Sequence, residues 1–348
     1  LKVRLREALE ERLPGAEKGQ KELIIRALEE IETAPITTIH SFAAGILRER
    51  PVEAGVDPAF TIISGELDDL LEQAWEQWLA GQLAQKAAPL QRALFLGCTL
   101  DQLKGLCLTL YRQRDLVLAG TCPRPPDLLP AFLIDFKQYS SELESLLGHC
   151  CDPSDRGYQL ICSLLASGRE LGQAGERLIQ ENIILNRFPR VAVRGNKKHW
   201  HPADSCARQK EICASLAEQL ERTRQSIAGN LIADLVEWAR GFFAAVEKAK
   251  GGSLDFQDLL LKARDLLRDS LEVRRHFQKR FRYILVDEFQ DTDPLQVELV
   301  FFLAEKSPRA ATWREVEPVP GKLFLVGDPK QSIYRFRRAD IEIYQEAG

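Results

Sequence analysis

The chain has 348 residues, of which 45% are hydrophobic and 28% are charged, and its formal net charge at pH 7 is −4. This length predicts two or more domains of an ordinary globular protein, and the charge excludes a global nucleic-acid signature, so such binding must come from local basic patches. No apolar run approaches the length of a membrane span and no signal-peptide pattern occurs, so we expect a cytoplasmic protein without a membrane segment.

The eight cysteines form neither a C-x-x-C pair nor a regular framework, and Cys150 with its neighbour is the only close pair. Cysteines adjacent in sequence rarely bridge, so we expect reduced thiols, as is typical of a cytoplasmic protein. His149 beside Cys150, and His199 and His201 on either side of Trp200, lack the paired spacing of zinc ligands. We therefore predict a structural or loop role for these histidines.

Residues 1–32 are predicted to be helical, because their apolar side chains recur at helical spacing. Residues 35–39 are predicted to form a strand that runs into His40-Ser41-Phe42. A His and a Phe at a strand end can hydrogen-bond a phosphate and stack on a base. A core histidine at a strand-to-helix junction is the alternative interpretation.

Between residues 51 and 250 the pattern predicts many helices and no convincing strand. Thr99 and Gln102 have the spacing of a capping box, and a long helix is predicted over residues 205–248, ending at Gly251-Gly252. The apolar stripes of these helices, such as the one over residues 67–79, are predicted to be core.

Two basic clusters occur. The first has aromatic neighbours, Phe188 and Trp200, and consists of Arg187, Arg190, Arg194, Lys197 and Lys198. Cations interleaved with aromatic residues suit a surface that follows phosphates and stacks bases, and a solvated loop is an equally good interpretation. The second is predicted to decorate a helix end, where cations complement the dipole, and consists of Arg274, Arg275, Lys279, Arg280 and Arg282.

Residues 283–286 are apolar or aromatic and predict a short strand buried on both faces of a parallel sheet. Asp287 and Glu288 follow at its carboxyl end, the edge where open α/β sheets bind ligands. Adjacent carboxylates beside an apolar core imply a cation or a proton. In a nucleotide-hydrolysing site, Asp287 would hold Mg²⁺ and Glu288 would orient and deprotonate the attacking water. A solvated acidic turn is the alternative.

Asp293-Pro294 predicts the start of a helix with Leu295, Leu299 and further apolar residues on one face. Residues 323–326 then predict a second buried strand, which ends in the polar loop 327–337. Two strands that end in polar loops at one sheet edge would form a single site.

These segments resemble a known family. Residues 287–292 and 327–340 resemble motifs II and III of the UvrD/Rep-type superfamily 1 helicases, within them the RecB/AddA branch of helicase–nucleases, and residues 38–42 resemble the T-x-H-x-F motif that touches single-stranded DNA. The resemblance implies an α/β fold in which a RecA-like parallel-sheet motor domain, 1A, is interrupted by a large all-helical insertion, 1B. Residues 1–50 and 254–348 would form 1A, and residues 51–253 would form 1B.

The resemblance also implies the site and its ligands. ATP and Mg²⁺ would be the cofactors, and the partners would be single-stranded DNA, a duplex junction and other subunits of a helicase–nuclease complex. Gln331 would sense the γ-phosphate and act with Asp287 and Glu288, while Arg337 would contact DNA or couple it to the nucleotide. The other implied DNA contacts are Thr38, His40, Phe42, Tyr334 and Phe336. Arg338 stands where the family commonly has Gly.

The chain contains no methionine and no G-x-x-x-x-G-K-[ST] phosphate loop. In the family this loop lies upstream, whereas a second motor domain and, in this branch, a nuclease lie downstream. We therefore expect a piece of an ATP-dependent DNA helicase or helicase–nuclease of repair and recombination, which alone binds DNA weakly and hydrolyses ATP poorly or not at all. Two alternatives stay open: a metal-dependent nuclease using Asp287, Glu288 and Asp291, and a non-catalytic DNA-binding or scaffold protein.

Overall fold

The computed structural model describes residues 2–328, which fall into two compact units. The strand-containing unit comprises the residues up to Leu67 and those from Lys250 onward, and the helical unit comprises Asp68–Ala249. Helices make up most of both units, and a small parallel sheet lies in the first. The predicted α/β class is thereby confirmed at this coarse level.

Helices far outnumber strands within residues 2–328. In chain order, the α-helices are α1 (Lys2–Arg12), α2 (Lys18–Glu30), α3 (Ile39–Glu49), α4 (Leu67–Ala84), α5 (Ala88–Phe95), α6 (Leu100–Arg112), α7 (Arg114–Ala119), α8 (Leu129–Leu147), α9 (Arg156–Gln173), α10 (Arg177–Asn182), α11 (Ala203–Lys250), α12 (Phe256–Asp269), α13 (Leu271–Arg280) and α14 (Pro294–Ala304). The strands are β1 (Ile284–Val286) and β2 (Leu323–Leu325). None of these helices combines the length and the apolar character needed to cross a membrane.

The N-terminal segment confirms the predicted helices, since α1 and α2 occupy most of residues 1–32. The strand predicted over residues 35–39 is wrong: residues 35–38 are irregular and α3 begins at Ile39. The Thr38 side chain caps α3 by accepting a hydrogen bond from the Ser41 backbone N–H at 3.3 Å. A threonine at this position stabilises a helix start, and this local bond outweighs the β-propensity of its neighbours.

The helical unit follows the local sequence signals closely. Thr99 and Gln102 form the predicted capping box at the start of α6, and α11 covers the long helix predicted over residues 205–248. The predicted apolar stripe of α4 meets aromatic residues of α11 in the core, where the rings of Trp78 and Trp238 lie 4.4 Å apart between centroids. Residues 51–250 form many helices and no strand beyond isolated β-bridges at Ile62 and between Cys150 and Trp200, as the sequence predicted.

A buried ion pair joins the helices of the strand-containing unit. Arg274 of α13 is 0% exposed and donates a hydrogen bond of 2.7 Å to Glu305, which is 3% exposed. The same guanidinium donates to the backbone carbonyls of Leu267 and Ala310 and lies 4.3 Å above the Phe302 ring. The prediction that this basic cluster only decorates a helix end is therefore wrong for Arg274, which connects α12, α13 and the segment after α14.

The strands pair in parallel, with Ile284 opposite Leu323 and Val286 opposite Leu325. The predicted parallel sheet is confirmed, but the predicted burial on both faces is wrong, since Leu285 is 75% and Phe324 is 48% exposed. Successive side chains of a strand point to opposite faces. One face packs against the apolar cores beside α14, and the other face is exposed in the part of the chain that the structure describes.

The Arg274–Glu305 pair generates a stability prediction. We expect Arg274→Ala to lower the free energy of unfolding by about 3–5 kcal/mol, because it leaves a buried carboxylate without its cation. Its exposed neighbour Arg275 provides the control: Arg275→Ala should change the free energy of unfolding by no more than about 0.5 kcal/mol. Urea unfolding followed by circular dichroism measures both; equal effects of the two substitutions would contradict the assignment of Arg274 as a connection between helices.

Candidate nucleotide and DNA site

Parallel pairing brings the loops that follow β1 and β2 to the same edge of the sheet. The Val326 N–H donates to the Val286 carbonyl at 2.8 Å, and the Phe289 N–H donates to the Val326 carbonyl at 2.9 Å. These backbone bonds extend the contact beyond the strands into the first residues of both loops. The first residues of the two polar loops therefore meet at one sheet edge, as predicted, and residues 329–337 of the second loop lie outside the described residues.

The acidic pair is exposed at this edge. Asp287 Oδ1 accepts a hydrogen bond of 3.0 Å from the Glu288 backbone N–H, and Glu288 has left-handed backbone angles, φ 54° and ψ 39°. This conformation costs a non-glycine residue about 1–2 kcal/mol. Phe289, which is 3% exposed, inserts into the core directly after it and holds the turn in place. The turn therefore presents both carboxylates to solvent at the carboxyl end of β1.

Gln290 connects the two loops through its side-chain amide. It is 3% exposed, its Nε2 donates to Glu288 Oε2 at 2.6 Å, and its Oε1 accepts from the Asp328 backbone N–H at 2.9 Å. A Cβ added to Gly327 would collide with Gln290 Oε1, so only a glycine permits this close approach of the loops. The sequence reasoning missed both residues; the only local signal was an amide within the acidic segment, and its partner lies 38 positions further along.

The donor set at the edge suits Mg²⁺ in combination with a nucleotide. Mg²⁺ is usually held by one or two carboxylates together with phosphate oxygens and water, and the exposed Asp287 offers hard oxygens of that kind. In residues 2–328, no three His, Cys, Asp or Glu side chains gather as a complete metal-ligand group. Asp291 does not join the acidic pair as a third ligand, and its Oδ1 is buried without a hydrogen-bond partner within the described chain.

The segment predicted to touch DNA lies at the start of α3. Thr38 is exposed, while the ring of His40 packs edge-on against Phe256 at 5.4 Å and the ring of Phe42 packs against Phe281 at 5.2 Å. Burial lowers the pKa of His40, and the nearby Asp293 at the start of α14 opposes this shift. His40 and Phe42 are thus partly buried in the core of the unit, close to the helix that follows the acidic turn.

The remaining predicted residues have different outcomes. Gln331, Tyr334, Phe336 and Arg337 lie outside the residues that the structure describes. In the helical unit, Phe188 is 5% and Trp200 is 0% exposed, so the predicted base stacking by the first basic cluster is wrong. The aromatic rings are core, and the cations that accompany them are exposed, namely Arg187, Arg190, Arg194, Lys197 and Lys198.

A buried carboxylate explains the conformation of this basic loop and the placement of its histidine. Asp155 accepts hydrogen bonds from the Asn196 backbone N–H at 2.8 Å and from Trp200 Nε1 at 3.2 Å. His199 Nδ1 lies 3.2 Å from the Oδ2 atom of the same carboxylate. His149 Nδ1 lies 2.7 Å from the Ser205 hydroxyl. Both histidines thus make structural contacts within the helical unit. All eight cysteines are free thiols.

The sequence matches the UvrD/REP helicase N-terminal domain family over residues 1–348. The chain belongs to this family. It is 29% identical over 393 positions to the A subunit of the ATP-dependent helicase/nuclease of Exiguobacterium sibiricum, in a match that covers 98% of this chain and 31% of that protein. It is 25% identical over 397 positions to the protein of the same name from Listeria welshimeri, covering 99% of this chain and 31% of that protein.

A further relative supports the same branch. RecBCD enzyme subunit RecB of Mycolicibacterium smegmatis is 37% identical over 116 positions, which cover 32% of this chain and 10% of that protein. The resemblance to the RecB/AddA branch of the UvrD/Rep-type helicases is confirmed by these matches. The chain spans about a third of the length of the two helicase/nuclease subunits.

The environment of His40 predicts a pH-dependent stability. Because burial lowers its pKa below the ordinary 6.5, the unfolded chain takes up the proton more readily, and the free energy of unfolding falls as pH drops through 6.5. We expect His40→Asn to weaken this dependence. Asp293→Asn keeps the helix cap and removes the opposing charge, so it should strengthen the dependence. Urea unfolding between pH 7.5 and 5.5 measures the free energy of unfolding of the wild type and both variants. If it changes with pH equally in all three proteins, the prediction is contradicted.

Proposed function

We propose that the protein to which this chain belongs is an ATP-dependent DNA helicase of the RecB/AddA branch, which moves along single-stranded DNA and unwinds duplex in repair or recombination. The observation that carries the proposal is the exposed Asp287-Glu288 pair, linked to the loop after β2 at one edge of a parallel sheet. Family membership and the helicase/nuclease names of the relatives support it.

The chemistry that this pair can perform is hydrolysis of the γ-phosphate of ATP. Asp287 would hold the Mg²⁺ that neutralises the charge on the phosphates, together with phosphate and water oxygens. Glu288 would orient a water molecule and take its proton as the water oxygen attacks the γ-phosphorus. The bond from that phosphorus to the bridging oxygen breaks, which leaves ADP and inorganic phosphate.

The domain assignment belongs to the same proposal. We assign residues 1–50 and 254–348 to the motor domain 1A and residues 51–253 to the insertion 1B. The division of the chain after Leu67 and before Lys250 supports an insertion of this kind, with its first boundary after the turn segment that follows α3 and its second within a few residues of the assignment. The exposed cations of the basic loop would contact DNA phosphates and not its bases, since the aromatic side chains beside them are buried.

The remaining roles come from the family resemblance. Gln331 would sense the γ-phosphate, Arg337 would couple nucleotide and DNA, and Tyr334 and Phe336 would stack on DNA bases. Thr38, His40 and Phe42 would form part of the same DNA path, in which the exposed Thr38 is the most accessible of the three. The word subunit in the names of the relatives supports further protein partners.

Substitution of the acidic pair in the full-length protein tests the function. We expect Glu288→Gln to lower DNA-stimulated ATP hydrolysis by about 100-fold or more, because the attacking water loses its base, while binding of Mg²⁺ and ATP persists. Asp287→Asn should instead raise the Mg²⁺ concentration required for half-maximal rate. The rate of phosphate release, measured against Mg²⁺ and ATP concentration, separates the two effects.

An exposed glutamate on α13 provides the matched control, and Glu272→Gln should hydrolyse ATP at the wild-type rate. Equal rates for wild-type protein and Glu288→Gln would overturn the proposal. DNA cleavage that requires Mg²⁺ but not ATP, and that Asp287→Ala abolishes, would instead identify a nuclease. DNA binding that depends on salt but does not change with ATP or Mg²⁺ would identify a binding or scaffold protein.

A further inference from the structure

Two neighbours of the Gln290 side chain determine the orientation of its amide. Its Oε1 faces the Asp328 backbone N–H, which can only donate, so the amide oxygen must point to the loop after β2. The NH₂ group then points to Glu288 Oε2, which it meets at 2.6 Å. The reversed amide would place its NH₂ group against the Asp328 N–H and its oxygen against Glu288 Oε2, so neither contact could be a hydrogen bond. The two loops therefore fix the orientation of this amide between them.

A carboxylate that acts as a base needs one oxygen directed at the water and a fixed direction for the other. Glu288 is exposed, and within residues 2–328 the hydrogen bond to its carboxylate comes from the Gln290 amide. The Gln290 amide binds Oε2 and leaves Oε1 as the free oxygen. Gln290 itself is 3% exposed and cannot move without disturbing the packing around it.

We propose that Gln290 is a positioning residue that holds Glu288 in its working orientation and makes that orientation depend on the loop after β2. This inference rests on the proposed function, because it assigns a role beside the base of that reaction. A shift of Asp328 relative to β1 would weaken its hydrogen bond to the Gln290 amide and so remove part of the restraint on the Glu288 carboxylate. The position of Asp328 is in this way transmitted to the hydrolytic base through one side chain.

The close approach at Gly327 supports a tight connection between the loops. Besides the collision with Gln290 Oε1, a Cβ on Gly327 would lie 3.1 Å from the Gln290 backbone nitrogen and 3.2 Å from that of Phe289. Both of these are backbone atoms of the acidic turn, which cannot give way as a flexible side chain could. A side chain at Gly327 would therefore push the two loops apart.

The test uses Gln290→Glu in the full-length protein. Glutamate keeps an oxygen for the Asp328 N–H but places a second carboxyl against Glu288; the two carboxyls either repel each other or share a proton, and in both cases Glu288 is less available as a base. We expect kcat for DNA-stimulated ATP hydrolysis to fall roughly 10- to 100-fold, as is typical of a misplaced catalytic group. The KM for ATP should stay within about twofold, because the substitution acts on the chemical step and not on nucleotide binding.

A double-mutant cycle shows whether Gln290 acts through Glu288. In the Glu288→Gln background the base is already absent, so adding Gln290→Glu should change kcat by less than about twofold. An equal loss in both backgrounds would overturn the proposal, as would wild-type kcat in Gln290→Glu alone. Either result leaves the proposed function intact if Glu288→Gln alone lowers kcat as expected. Full activity of Glu288→Gln would overturn the proposed function itself.

Two further variants separate positioning from folding. Gln278 donates its amide to the Phe302 carbonyl at 2.7 Å, away from the acidic pair, so Gln278→Glu makes the same chemical change and should keep kcat at the wild-type value. Gly327→Ala disturbs the contact from the other loop and should lower kcat in the same way as Gln290→Glu, again without a change in KM. If Gln290→Glu does not fold, Gly327→Ala is combined with Glu288→Gln in the same kind of cycle. A loss of kcat that occurs only in the protein that retains Glu288 supports the proposal. Wild-type kcat in Gly327→Ala overturns it.

Discussion

The hydrogen bonds between the loops after β1 and β2 are the interactions on which the site depends. The two strands are three residues long each, and their pairing alone positions little. The bonds from Phe289 to Val326 and from Asp328 to Gln290 continue the pairing beyond the strands and place the acidic turn against the next loop. The position of the acidic turn thus depends on residues that follow β2, such as Asp328, and a displacement of these residues would alter the contacts of the turn.

Elements defined by neighbouring residues were predictable from the sequence. The Asp293-Pro294 helix start, the Thr99–Gln102 capping box and the long helix α11 depend on side chains within one or two turns, and the structure has each of them. Burial was less predictable, because it depends on what covers a face. The alternate residues of β1 and β2 are apolar on both faces, yet only one face is packed in residues 2–328.

The candidate site was predictable in its charged residues and not in its connections. Two carboxylates after an apolar strand are typical of a ligand site at the edge of an α/β sheet, with a solvated acidic turn as the alternative. The role of Gln290 depends on Asp328, and no periodicity links residues so far apart. The interpretation of Phe188 and Trp200 as a stacking surface was wrong because both rings lie in the core of the helical unit, where Trp200 also donates a hydrogen bond to Asp155.

Coupling of nucleotide and DNA through the edge of this sheet is tested most directly by a thermodynamic cycle. The affinity of the full-length protein for single-stranded DNA would be measured with Mg²⁺ alone and with Mg²⁺ plus a non-hydrolysable ATP analogue, and the affinity for the analogue with and without DNA. We expect each ligand to change the affinity for the other by the same factor, roughly 5- to 150-fold, and Gly327→Ala to reduce this factor. If neither the DNA nor the ATP analogue changes the affinity of the protein for the other, the coupling is contradicted.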